Sequence, residues 1–415
     1  MKQYPPRKGD KKNSEFFEEY LLKVYERREK AGLADLLINM RAVLVQVNTG
    51  NALPYLAELY LMTPYRFYTG FVNKTHKLYI LRTKPEYPDF IVLEPLTEAY
   101  RDRFTSLNSL YPKSESKINT KYLGEVYQTK DLEETKKTLE DQQFRFLDIS
   151  TITNDLLAHP ALAFTKISYY TGNITGYTES DLVYYDGLSL GSPFLLSAAQ
   201  RSSLDRVIEV QKKFGLDSLI HGIDHLATRV LSGDREDAIL EFICLSNYYF
   251  WGAYNIDDMN SSTNITRNPG ISDELISPAK VFTANNVPFY INTIVNLPSP
   301  TEDFVRNYGK RMHHVAYEVE DGIQTDGTKN IDYVVGKLIN ADIKFLEQII
   351  GECTDFPDLK QIFSKSSPYS LLITEYVQRC HGFEGFFTKS NVAYLTQAAG
   401  QDEALNPTAP GPVHD

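Results

Sequence analysis

Short runs of aromatic and β-branched residues recur along the whole chain, and they constrain its fold more than any other feature. RFYTGFV, KLYILRT, DFIVLEPL, KYLGEVY, FTKISYYTG and DLVYYDGL fall between about residues 46 and 190. GIDHLATRV, EFICLSNYYFWGAY, PAKVFTA, VPFYINTIV, MHHVAYEV and SLLITEYVQR fall between 219 and about 398. Such residues suit the pleated surface of a sheet, and the Asn, Gly and Pro between runs supply turns. The 28 Tyr and 22 Phe strengthen the strand preference and provide for an aromatic-lined pocket. Helical spacing is confined to a few places. Residues 14–45 carry Leu21, Leu22, Val24 and Tyr25, with a second run after Gly32. DLEETKKTLEDQQ, residues 300–309 and residues 328–341 read as helices too. Residues 198–214 form an amphipathic connecting helix with Gly215 as its C-cap.

This pattern divides the chain into a helical N-terminal extension (1–45), a β-rich half with one charged helix (46–197), a second β-rich half (198–400) and a Pro-rich disordered tail (401–415). The similar order of elements suggests a duplication, although the letters match weakly. A net charge of −11 excludes a general nucleic-acid binder, which needs clustered positive charge. The basic start, MKQYPPRKGDKKNSEFFEEY, lacks the apolar stretch of a secretory signal. No run approaches the roughly 20 apolar residues of a membrane span. Cys244, Cys353 and Cys380 are odd in number and lack CxxC spacing. That argues against disulfides and structural zinc, and for a reducing cytoplasm. Phosphate-binding loops, GxSxG elbows and HExxH are absent.

Three strands carry polar residues on apolar faces. With a period of two, Glu375 shares a face with Leu371, Ile373 and Val377. His225 shares one with Ile223 and Ala227, and His314 with Met312 and Ala316. Asp224 falls on the face opposite His225, so it is not expected to orient that ring. A buried carboxylate costs several kcal/mol unless it is paired or binds a metal. Two His and one carboxylate are the ligand set of non-haem iron(II) oxygenases, which leaves positions open for substrate and O2. On periodicity alone, two satisfied core histidines and a salt-bridged glutamate are the commoner explanation.

The second half also resembles the 4-hydroxyphenylpyruvate dioxygenase family of the vicinal-oxygen-chelate fold. IDH (223–225), HHVA (313–316), QIFSK (361–365) and TEYVQR (374–379) resemble four family segments in the family's order. The resemblance covers about residues 215–398, while the first half is similar only in arrangement. It implies an α+β fold of two tandem βαβββ-repeat domains forming open curved sheets, the first without metal. It implies Fe(2+) held by His225, His314 and Glu375. It also implies oxidative decarboxylation and hydroxylation of an aromatic, or related, 2-oxo acid with O2. Ser277, Asn292 and Gln361 look equivalent to pocket residues of the family. Phe386, Phe387 and Asn391, in GFEGFFTKSNVAYL, resemble its C-terminal lid.

Two positions depart from the family, which has Gln where this chain has His313 and, in the preceding helix, Glu302. A glutamate there repels an anionic substrate unless protonated or paired, which leaves substrate identity open. The implied partners are O2 and a small 2-oxo acid, with a homodimer as the expected assembly and neither nucleic acid nor membrane. Other chemistry on the same scaffold, such as extradiol ring cleavage, and a non-catalytic binding role are the alternatives. The QIFSK segment and the Phe-rich lid favour the first reading, and a buried triad argues against the last.

Overall fold

The computed structural model describes residues 4–10, 15–148, 150, 154, 156–179, 190–270, 277–288 and 299–400. One unit recurs in it: a strand, a helix, then antiparallel strands, the last returning parallel to the first. Ile220–Arg229, the helix Arg235–Leu245, and Tyr249–Ile256, Ser261–Arg267 and Ala279–Ala284 make one such unit. Arg311–Val319, the helix Asn330–Ile339, and Phe345–Ile350, Asp358–Ser364 and Ile373–Cys380 make the next. In each, the first and last strands pair in parallel. The two units join antiparallel through their first strands, giving a nine-stranded sheet with Lys8–Gly9 at one edge. The first half repeats the plan. Leu37–Gln46, the helix Ala52–Met62, and Arg66–Val72, His76–Arg82 and Asp89–Pro95 form one unit, joined to Lys121–Thr129 in an eight-stranded sheet. Both sheets are open and curled, as expected.

Local sequence accounts for the helix limits. Ser197 and Gln200 form a capping box at the start of the connecting helix Ala198–Lys213, and Gly215 takes φ 65° just beyond its end. Three stretches depart from the sequence reading. Residues 37–45, read as helix, belong to the strand Leu37–Gln46, and the stretch is buried on both faces, so apolar periodicity could not separate the two states. EFICL, read as strand, is instead the last turn of the helix Arg235–Leu245, whose first turn carries Glu236 and Asp237 near the dipole's positive end. FTKISYYTG contributes only Phe164 to a strand, and the pairing passes to Ile174–Thr178. DLVYYDGL, most of VPFYINTIV and the tail from 401 lie outside the described residues.

One cysteine expectation is overturned: Cys353 and Cys380 form a disulfide, with Cα atoms 5.6 Å apart, and Cys244 is free. An odd count still permits one pair, and a separation of 27 residues carries no spacing signal. The loop holding Cys353 returns beside the end of the Glu375 strand, so the reducing-compartment argument loses its basis. Among the described residues, no helix is long and apolar enough to cross a membrane.

The N-terminal helix Glu15–Lys30 has a definite job. Its Arg28 is buried and donates to the carbonyls of Ile243, Ser246 and Tyr248 at 2.9, 2.9 and 2.6 Å. These belong to the end of the helix Arg235–Leu245 and the turn after it, where carbonyls lack intrahelical donors. Arg28→Ala should therefore destabilise the protein by about 3 kcal/mol or more in chemical denaturation, since buried acceptors are left unmatched. The helix Ala52–Met62 reaches the second half as well, where Glu58 is hydrogen-bonded by Ser367. Burial raises the Glu58 carboxyl to about 7 despite that hydrogen bond. The folded state thus holds a proton that the unfolded chain releases near pH 4.5, so Glu58 costs stability as pH rises from about 4.5 to 7. Glu58→Gln should flatten this part of the stability–pH profile, as measured by thermal unfolding across the range.

Candidate metal centre

Strand register assembles the candidate ligands. His225 lies opposite Ala316, and Ala316 lies opposite Glu375 on its other side. In the adjoining row, His314 sits between Ala227 and Ile373. With strands about 4.8 Å apart, His225 and Glu375 straddle Ala316, whose single methyl leaves the space between them open. Ala227 does the same beside His314. His225 Nε2 and His314 Nε2 lie 3.0 and 3.2 Å from Glu375 Oε2. One potential ligand atom from each residue falls within 4.8 Å of the others, and all three side chains are buried.

The chemistry of this set can be tested against a metal. His225 Nε2 is buried and, although close to Glu375, makes no aligned hydrogen bond. The three side chains thus bring one potential ligand atom each close enough to share a single ion. Two imidazoles and one carboxylate suit a divalent first-row metal such as iron(II), and three ligands leave coordination positions over. Burial alone would lower the His225 pKa, but Glu375 and Asp224 outweigh it and push it up to about 9. Burial, His225 and Arg229 hold His314 well below its ordinary value. Without metal, a proton on His225 balances Glu375, and a bound cation would take its place.

Each ligand is fixed from behind. Asp224 Oδ1 lies 2.6 Å from His225 Nδ1, contrary to the expectation that Asp224 faces the other way. The cause is a β-bulge. Between Ile223 and His225 the partner strand advances by only one residue, from Tyr317 to Ala316. The extra residue breaks the alternation and brings Asp224 round to His225. Arg379 in turn donates to both carboxylate oxygens of Asp224 at 2.9 and 3.0 Å, and to the carbonyl of Phe386 at 2.7 Å. Burial favours a neutral Asp224, but Arg379 and His225 hold its carboxyl well below the usual range. On the other side, Gln361 donates to Glu375 Oε1 at 2.6 Å and accepts from Asn391 Nδ2 at 3.0 Å.

A second bulge explains His313. Across Ala227 and Thr228 the partner strand advances from His314 to Met312, so His313 is the extra residue. Both adjacent histidines consequently line one cavity, which strict alternation forbids. Their Nδ1 atoms are 2.9 Å apart. If His314 offers Nε2 to a metal, its Nδ1 carries hydrogen and donates to His313. His313 then bears its hydrogen on Nε2, which is buried without a partner. Gln361 and Phe387 line the same cavity, and Phe386 and Phe387 pack their rings 5.6 and 5.2 Å from that of His225. The helix Lys389–Gly400 covers it with Val392, Leu395 and Thr396.

Ser277, Glu302, Phe386 and Asn391, expected in the pocket, are not among the residues that line this cavity, although Phe386 packs on His225 and Asn391 donates to Gln361 behind it. Ser277 accepts from the backbone of Met40 and lies 2.6 Å from the Tyr248 hydroxyl, so it joins the two halves. Glu302 turns to the backbone N–H of Ser232 at 3.3 Å, while its neighbour Thr301 faces the cavity. Burial raises the Glu302 carboxyl. Asn292 lies outside the described residues. The sequence reading missed Arg229, Ser261, Thr263 and Thr283, which line the cavity. Arg229 was within reach of it, since residues 225, 227 and 229 share a face by period two.

No protein-family model matches this chain, and no curated protein matches it in sequence. Its fold is that of solved structures. A mutant of 4-hydroxymandelate synthase from Streptomyces coelicolor matches with TM-score 0.58 at 14% identity, covering 88% of this chain and 98% of that one. A xylose isomerase-like TIM barrel/4-hydroxyphenylpyruvate dioxygenase fusion protein matches with TM-score 0.55 at 11% identity, over 91% of this chain and 57% of that one. The vicinal-oxygen-chelate fold expected from the sequence is therefore present. Supporting groups behind metal-binding histidines commonly contribute about 10- to 100-fold in metal affinity. Asp224→Ala should weaken divalent-metal binding by that factor in a chelator competition, with the fold intact by circular dichroism.

Proposed function

We propose that this protein is a non-haem iron(II) dioxygenase that acts on an aromatic, or related, 2-oxo acid. The convergence of buried His225, His314 and Glu375, the last two of which line the cavity beneath the C-terminal helix, carries this reading. The shared fold with proteins described as a 4-hydroxymandelate synthase and a 4-hydroxyphenylpyruvate dioxygenase fusion supports it. When bound, iron(II) would supply open positions where a 2-oxo acid chelates and O2 is activated for oxidative decarboxylation and hydroxylation.

The chain's own part is positional. Asp224 and Arg379 fix the His225 ring, and Gln361 with Asn391 holds one Glu375 oxygen so that the other faces the metal position. His313 places an Nε2–H donor in the cavity wall for a substrate oxygen. Phe386, Phe387 and the C-terminal helix exclude water from the reacting region. Because Arg379 bonds both Asp224 and the carbonyl of Phe386, ligand orientation and lid position share one side chain.

Iron(II)-loaded protein should bind about one metal per chain and consume O2 with release of CO2 when given an aryl- or alkyl-pyruvate. Glu375→Ala should lose iron binding and uptake together. Full iron affinity in that variant overturns the ligand assignment, and uptake with catechols alone replaces this reading with ring cleavage.

A further inference from the structure

A second cavity, of about 150 Å³, lies between the two halves. Residues 168–173 and the strands Lys121–Thr129 and Ile174–Thr178 line it from the first half. The helix Arg235–Leu245 and the strand Ala279–Ala284 line it from the second. Alternation along Ala279–Ala284 sorts its side chains. Val281 and Thr283 face the candidate metal cavity, while Lys280 and Phe282 face this one. The two cavities therefore stand back to back across one strand.

The polar groups of this cavity are incompletely matched. Asn173 is 5% exposed, and neither its amide nitrogen nor its amide oxygen has a partner. Buried Lys280 pairs with Glu125 and lies 5.6 Å from the centre of the Tyr122 ring. One acceptor for an ammonium with three donors leaves capacity for another. Glu241 accepts from the Ser168 hydroxyl through one carboxylate oxygen, and it forms no salt bridge among the described residues. Lys310 attracts it but is paired with Asp234. Burial raises the Glu241 carboxyl and lowers the Lys280 amine, so each gains from a partner of opposite charge. Arg145 and Lys166 stand exposed at the rim and add positive charge there.

These demands define a ligand. An ammonium group suits Glu241, and a carboxylate suits the spare donors of Lys280. The Asn173 amide offers one donor group and one acceptor, so it can serve either end. Phe144, Phe242 and Phe282 supply an apolar wall for a side chain. We propose that this cavity binds a small zwitterion of the α-amino acid class, at a site separate from the candidate metal centre. Such a ligand touches Glu125 and Asn173 of the first half and Lys280 and Glu241 of the second, and so ties the halves together. The proposal does not rest on the iron(II) reading.

The test is calorimetric titration of metal-free, full-length protein with the standard amino acids at millimolar concentration. At least one should bind. Its counterpart acid without the ammonium and its counterpart amine without the carboxylate should each bind about 10-fold more weakly or worse, because one buried charge is left unmatched. Glu241→Gln should weaken the amino acid by about 10- to 100-fold, and Asn173→Ala by about 3- to 10-fold. Glu375→Ala should bind it as the unmutated protein does, which separates this site from the metal centre. The matched ligands need no variant, so they decide the matter where a variant fails to fold. The proposal is overturned by binding of no amino acid, or by equal binding of either counterpart. It is overturned as well by unchanged affinity in folded Glu241→Gln or Asn173→Ala, or by loss of binding in Glu375→Ala.

Discussion

The antiparallel pairing of Ile220–Arg229 with Arg311–Val319 is the contact on which the rest of the structure depends. It joins two βαβββ units into one curled sheet and sets two histidines in neighbouring rows. The parallel return of Ile373–Cys380 then adds Glu375 to the row of His225. The pairing is irregular where the chemistry lies. One bulge turns Asp224 toward His225, and another turns His313 into the cavity beside His314. A regular ladder would point both residues away and leave His225 without its carboxylate partner.

Such a cluster is expensive to bury, and the surroundings show how the cost is met. Asp224 is engaged by Arg379 and His225, and Glu375 by Gln361 and the two histidines. Removing one charged partner from such a group commonly costs 3–5 kcal/mol, because the other is left buried and unmatched. The site's stability and its aim therefore come from the same bonds. The tie from Arg379 to the lid carbonyl extends that coupling to the covering helix.

The first half contributes no ligand but is not a separate body. Tyr376, next to Glu375, donates to the carbonyl of Met62 at 2.7 Å, and buried Lys280 pairs with Glu125 across the halves. Ser277, expected in the substrate pocket, is one of these joining residues. The N-terminal helix crosses as well, with Arg28 on the carbonyls that end the helix Arg235–Leu245. The sheet bearing the candidate ligands is thus held on its far side by the half that lacks them.

Much of this was legible before any coordinates. Alternation placed His225, His314 and Glu375 on apolar faces, and four ordered segments pointed to the fold that holds them together. What alternation could not foresee was its own interruption. A bulge is set by the register of two strands about 90 residues apart, so neither Asp224 beside His225 nor His313 beside His314 has a local signature. Long-range closure likewise decided the Cys353–Cys380 pair, and burial on both faces concealed the strand at 37–46. Sequence periodicity determined which residues are buried and on which local face. Only the tertiary structure decided which of them meet, because contact between distant strands depends on register and curvature, which neighbouring residues do not encode.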